Sequence, residues 1–361
     1  MNQMSARQLA LSYTGMFLGA GFVSGQELWQ FFACFGPMGL LGFVGTAAIF
    51  FYLCYAALSL AHATGQTDVT RMLTWGDRPR LRAVVRAMQC LFLFGISVIM
   101  IAGASVLLHQ LTGAPSPLCG ALFTLAVALT AMLGLQGLVT AFSVLVPATT
   151  VCAVGLAAAV LIRGGFQFAP AAGSVSVLLP NWVVGFLTYA AYNLFGGVTV
   201  LMSFARLLPD QSTIRRGLGS GSVLLLLLAW SMIAAMAVRP SSGASELPMS
   251  LLAGELHPAL EVVYGLLMGL GMFSAALATM TAALSQLELR WPVLIPRRRV
   301  MVTGLYTAAF VLSLLGFGSL VGLVYPLFGY AGIPLLACLV LNWRKVRAQT
   351  RQAPEGSSAV R

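Results

Sequence analysis

The chain has 361 residues, 59% of them hydrophobic and only 8% charged, with a mean hydropathy of +0.92. Soluble domains carry about 25% charged residues, so this composition excludes a soluble globular protein and predicts an all-α integral membrane protein. The net charge of +11 would suit a nucleic-acid partner, but the basic residues sit in alternate loops, which is a mark of membrane topology; no nucleic acid is expected, and the lipid bilayer is.

Apolar runs of 18 or more residues can each cross about 30 Å of hydrocarbon as helix. They predict ten spans, over 8–33, 39–63, 85–110, 117–135, 138–162, 181–207, 214–238, 257–285, 299–317 and 320–343. The first run is long, polar in its middle and lacks a small-residue cleavage site, so a retained span rather than a cleavable leader is expected. It contains Gly19-Ala20-Gly21-Phe22-Val23-Ser24-Gly25-Gln26-Glu27. Three glycines weaken the helix there, and Ser24, Gln26 and Glu27 follow at membrane depth. Backbone freed by a break survives in lipid only against protein or a water-filled cavity, and an ionisable residue at that depth points to a functional site. This predicts an interrupted first span carrying a binding site at the midplane.

With the N-terminus cytoplasmic, the inside loops and tail hold 18 of the 20 basic residues, leaving Arg163 and Arg239 outside. Both termini are therefore expected in the cytoplasm of a multi-pass cell (inner or plasma) membrane protein. The stretch over 65–86, with Trp75-Gly76-Asp77-Arg78, reads as an amphipathic segment lying on anionic headgroups. Longer outside connections are predicted over 164–180 and 239–256. The first divides residues 1–163 from 181–343, and the polar tail over 344–361 is expected to be disordered. Five spans is an odd number, so the second half enters from the opposite side, and the two halves form an inverted-topology pair typical of secondary transporters.

That symmetry requires span 6 to be interrupted as well. Its sequence is Leu187-Thr188-Tyr189-Ala190-Ala191-Tyr192-Asn193-Leu194-Phe195-Gly196-Gly197-Val198-Thr199. Tyr189, Asn193 and Gly196 share a helix face, and the glycine pair is the expected break. Span 10 contains Tyr325-Pro326 and Pro334, and Pro147 lies in span 5; each predicts a kink. His62, His109 and His257 match no metal spacing, and the six cysteines sit singly, reading as small buried hydrophobes. No HExxH, nucleophile elbow or phosphate loop appears, so an enzyme is not expected.

The stretch over 19–27, together with Tyr192-Asn193-Leu194-Phe195-Gly196-Gly197, resembles the YkvI-like family of bacterial membrane proteins across essentially the full chain. That family is similar to the amino acid–polyamine–organocation transporters, whose fold is the five-plus-five inverted repeat typified by LeuT. The resemblance implies a substrate site between spans 1 and 6, flanked by spans 3, 8 and 10. Half-helix N-termini suit a carboxylate, and half-helix C-termini with unwound carbonyls suit a cation. The substrate-binding candidates are Gly21, Phe22, Ser24, Gly25, Gln26, Tyr189, Tyr192, Asn193 and Gly196, with Phe22, Tyr189 or Tyr192 as an aromatic lid. Glu27 either carries a coupling proton or braces the site by accepting hydrogen bonds from amides freed by the break in span 6. In sodium-coupled relatives the ion lies between the span 1 break and paired hydroxyls on span 8. Carbonyls of Gly19 and Phe22 with Ser274 offer only an incomplete shell, because Ser274 is preceded by Phe273 rather than a hydroxyl.

These features predict a secondary active transporter of a small zwitterion or carboxylate, such as an amino acid, coupled to protons or sodium and needing no other cofactor. The spans contain no Lys, the single one being Lys345, so no lysine switch and no basic clamp for polyphosphates is available. A membrane receptor that binds but does not transport its ligand is the alternative on the same fold.

Overall fold

The structure is a computed structural model describing residues 3–65, 68–76, 78–133, 138–165, 173 and 176–352. The described residues are helical, joined by turns and short 3₁₀ segments, with no strand among them. The first span is three pieces, α1 (Ala6–Phe17), α2 (Ala20–Val23) and α3 (Gln26–Phe31). There follow α4 (Pro37–Thr64), α5 (Val69–Met72), α6 (Pro79–Thr112), α7 (Ser116–Leu133) and α8 (Leu138–Gly164). After these come α9 (Trp182–Phe204), α10 (Gln211–Val238), α11 (Pro248–Leu256), α12 (Pro258–Arg290), α13 (Arg298–Ser313) and α14 (Phe317–Gln352). Segments within α4, α6, α8, α10, α12 and α14 are long and apolar enough to cross a membrane, and α7 and α9 contain shorter apolar stretches.

Helix ends follow the local sequence. Ser5 and Gln8 form a reciprocal capping box that starts α1. Asn181 Oδ1 accepts from the amides of Val183 and Val184 at 3.0 Å each, and Asp210 Oδ1 accepts from Thr213 at 2.6 Å. Prolines open α4, α6, α11 and α12, where the missing amide costs nothing.

The broken first span lies at the centre. α1 packs on α10, α9 packs between α4 and α14, and α6 lies along α12. Close helix approach depends on small residues. A Cβ on Gly217 would come within 2.7 Å of Leu9, and one on Gly221 within 2.9 Å of the Ala10 carbonyl. The bundle is apolar on its outside too: Leu41, Leu91, Leu122, Leu266 and Val300 are all more than half exposed, as lipid-facing side chains are.

Three expectations are corrected. Span 6 is not interrupted: α9 runs unbroken through Asn193, Gly196 and Gly197. A Cβ on Gly196 would meet the Phe92 ring at 2.6 Å, and one on Gly197 would meet Met16 at 3.2 Å. The glycine pair makes room for neighbours rather than ending the helix. The 344–361 tail begins as helix, because α14 continues to Gln352; Arg347 stacks over Trp343 at 5.3 Å and Lys345 over Trp75 at 6.0 Å. Residues 353–361 lie outside the described residues. Finally, residues 69–74 are tucked against α14 rather than lying free on headgroups: Asn342 Nδ2 donates to the carbonyls of Met72 at 2.9 Å and Thr74 at 3.0 Å. Arg80, Arg82 and Arg86 belong to the first turns of α6, and Asp77 lies outside the described residues. The helix α14 is continuous through Pro326 and Pro334, as α8 is through Pro147.

Candidate functional site

The break in the first span follows from its glycines and from partners that satisfy the freed backbone. Gly25 has φ +83°, the left-handed region that glycine enters without a Cβ clash, and it starts α3. Ser24 Oγ donates to the Gly21 carbonyl at 2.9 Å and accepts from the Gln26 amide at 3.3 Å, which stitches the turn. Other helices serve the remaining groups. Tyr264 Oη of α12 donates to the Val23 carbonyl at 2.5 Å, and the Met249 amide of α11 donates to the Ser24 carbonyl at 3.0 Å. The unwound backbone is thus held by protein, as irregular backbone at membrane depth must be.

Glu27 is the chemical centre of this region. It stands in the first turn of α3, 5% exposed, and its carboxylate folds back over Gly21. A Cβ on Gly21 would lie 2.0 Å from Glu27 Oε1, so only glycine leaves room for the carboxylate. Tyr192 Oη donates to Glu27 Oε2 at 2.6 Å, and Tyr189 and Tyr325 also face the carboxylate. The Tyr192 ring is stacked on Tyr325 with centroids 4.4 Å apart, and it meets Tyr189 edge-on at 5.3 Å. Phe31 and Phe92 lie against the same tyrosines. Among the described residues no cationic side chain pairs with Glu27. A buried carboxylate without a cation is tolerated only if hydrogen bonds hold it or a proton neutralises it. This pocket supplies the first and can accommodate the second.

A polar seam runs along one side of Glu27. Gln26 and Gln30 are one turn apart on α3 and face Gly318 and Gly322, one turn apart on α14. Gln30 Nε2 donates to the Gly318 carbonyl at 2.9 Å, and the Gly318 amide donates to Glu246 Oε1 at 3.0 Å. Ser176 Oγ donates to the Gly322 carbonyl at 2.8 Å. The Gln26 Oε1 and Gln30 Oε1 atoms are buried without a hydrogen-bond partner. Trp29 covers Gly243, where a Cβ would meet the indole at 2.0 Å. The seam thus joins α3 and α14 to the 239–256 connection.

The other sequence candidates fall in several places. Tyr189 and Tyr192 lie with Glu27, while Phe22 packs edge-on against Phe43 at 6.4 Å. Asn193 is half-buried, and its Nδ2 donates to the Tyr189 carbonyl at 3.1 Å on its own helix. Gly196 receives Phe92. Glu27 is braced by the Tyr192 hydroxyl; α9 has no break, hence no freed amides there to brace it. The Gly19 and Phe22 carbonyls accept from the Val23 and Gly25 amides, each at 3.0 Å. Ser274 is buried on α12, which packs against α2; Tyr264 is the α12 hydroxyl bonded to the break.

Sequence reasoning missed Gln30, Glu246 and Tyr264, and it assigned Tyr325 no role at Glu27. The Gln26/Gln30 spacing of four, matched by Gly318/Gly322, was the available signal for the seam. Nothing local marks Tyr325 or Tyr264.

No protein-family model matches the chain. It is similar to the uncharacterized membrane protein YkvI of Bacillus subtilis (strain 168), with 22% identity over 340 residues, covering 93% of this chain and 95% of that protein. It is also similar to the Bacillus subtilis protein YyaD, with 24% identity over 334 residues, covering 91% and 94%. Among solved structures, MhsT in complex with L-phenylalanine aligns with TM-score 0.59 and 16% identity, covering 96% of this chain and 89% of that one. A mutant form of the Eremococcus coleocola manganese transporter aligns with TM-score 0.53 and 12% identity, covering 98% and 88%. Over nearly its whole length, then, the chain is a multi-pass membrane protein resembling YkvI and YyaD, built on the LeuT-type fold of these transporters.

Proposed function

We propose that this protein is a secondary active transporter of a small solute, an amino acid or similar zwitterion or carboxylate, working by alternating access. In this reading the chain crosses the membrane ten times as two inverted five-span halves, over 1–163 and 181–343, with both termini cytoplasmic. The observation that carries the proposal is the broken first span itself. It holds a buried carboxylate, paired with no cation among the described residues, against a tyrosine of α9, inside a fold shared with transporters. Unwound backbone between α1 and α3 offers the polar groups that fix a small substrate's orientation.

Glu27 carries the coupling proton. Protonated, it leaves no net charge in the aromatic pocket; ionised, it depends on the Tyr192 hydroxyl for compensation. Gain or loss of that proton therefore changes the bond that ties α3 to α9, and release of the glutamine seam frees α3 from α14. Glu27 is the buried ionisable group at the break, without a cationic partner among the described residues, which favours the proton. The described residues assemble no group of three His, Cys, Asp or Glu suited to a metal ion, so the substrate reading follows the amino-acid-bound neighbour rather than the manganese transporter.

Uptake of labelled amino acids into proteoliposomes, driven by an imposed proton gradient and separately by a sodium gradient, tests this. Accumulation that follows the proton gradient is expected. A solute that stabilises the purified protein against heat but is never accumulated would replace the transporter with the receptor reading.

A further inference from the structure

A cavity of about 420 Å³ lies away from the Glu27 site, between α6, α12 and α13. Its wall is apolar along Leu91, Phe94 and Leu305, and Arg86, Arg290 and Gln286 join it from the ends of α6 and α12 where basic residues gather. No acidic side chain is among its described lining residues. Nearby Glu288 is paired with Arg298 at 3.6 Å and not with either lining arginine. Trp291 stands at the rim, 49% exposed, with Arg290 over its ring at 5.7 Å. Exposed tryptophan beside arginine marks the depth of the headgroups. Leu91, 61% exposed, opens the wall outward toward lipid.

We infer that this groove binds an anionic phospholipid, with its phosphate between Arg86 and Arg290 and an acyl chain along Leu91, Phe94 and Leu305. The charge pattern selects this occupant. Two cations stand at an apolar slot at the membrane surface, matching an anionic head followed by a hydrocarbon tail, and basic pockets between membrane helices bind such headgroups. The volume falls within the range of small-ligand sites, roughly 300–1,000 Å³. A lipid wedged between α6 and α12 would stabilise their contact at the end of α12 opposite Tyr264.

Native mass spectrometry of the full chain tests this, after release from nanodiscs of phosphatidylcholine alone or mixed with phosphatidylglycerol or cardiolipin. The wild type is expected to retain the anionic lipid preferentially. Arg86→Gln and Arg290→Gln should each lower retention about fivefold, while Arg215→Gln with Arg216→Gln, which removes charge from α10 instead, should not. Ala87→Trp, filling the groove without changing charge, should also expel the lipid. Equal loss in the α10 control would reduce the effect to general surface attraction and overturn the site. So would retention without preference for anionic lipid, or a groove variant that changes only the monomer–dimer ratio, which would make a second copy the occupant.

Discussion

Two glycine-rich stretches, 19–27 in the first span and 193–197 in α9, look alike on paper and behave oppositely. In the first, Gly25 adopts a left-handed backbone and Gly21 vacates the volume that Glu27 fills, so the helix ends and restarts. In the second, Gly196 and Gly197 keep helical backbone and serve as sockets for Phe92 and Met16. What separates them is what occupies the space of the missing side chain. A polar group from the next turn accompanies a break; an apolar side chain from another helix accompanies continuity.

Adding a methyl group at each glycine tests that contrast. Gly21→Ala should have the largest effect, abolishing transport and destabilising the protein by about 3 kcal/mol, the upper end of overpacking costs, because the carboxylate must leave its place. Thermal unfolding and uptake measured on one preparation check both. Tyr192→Phe should come next. It removes the donor that the structure gives Glu27, a loss of about 1.5–3 kcal/mol for a hydrogen bond to a charged group, and a smaller loss at pH values where Glu27 is protonated. Unfolding of this variant across a pH series would expose the difference, and a pH-independent loss would count against an ionisable Glu27. Gly25→Ala should cost of order 1–3 kcal/mol for its backbone conformation, with the close approach of Met249 adding to it. Gly197→Ala should do least. Met16 meets it with a flexible side chain at 3.2 Å, and alanine gains up to about 1 kcal/mol in helix propensity, so the unfolding temperature should be unchanged or slightly raised. Marked loss at Gly197 would mean that α9 needs to unwind during transport.

The same comparison shows how far the chain could be read unaided. Membrane helices announce themselves through apolar length, and the first break through Gly, Ser, Gln and Glu together at membrane depth. These are local signals: among the described residues six helices are long and apolar enough to cross a membrane, and the first span is interrupted where its glycines stand. The role of Gly196 was not legible, since the deciding neighbour, Phe92, is remote in sequence and stands on α6. Tyr325 is equally remote from Glu27, and its aromatic stacking on Tyr192 depends on α9 and α14 lying side by side. Asn193 stands among the substrate-binding candidates; its Nδ2 donates to a carbonyl one turn back on its own helix, a partner that a list of polar residues does not reveal. Past Lys345 the helix continues with Lys345 and Arg347 over the faces of Trp75 and Trp343, contacts that the polar composition of the tail does not reveal.

The most direct test of the central claim is solute uptake by Glu27→Gln in proteoliposomes at several pH values, beside the wild type. The variant keeps the size of the side chain and its capacity to accept from Tyr192, but it cannot exchange a proton. The account predicts that it still binds solute, fails to accumulate it against a gradient, and loses the pH dependence of the wild type. Near-normal accumulation with an unaltered pH profile would contradict it, leaving Glu27 a brace for the broken span and placing the coupling ion elsewhere.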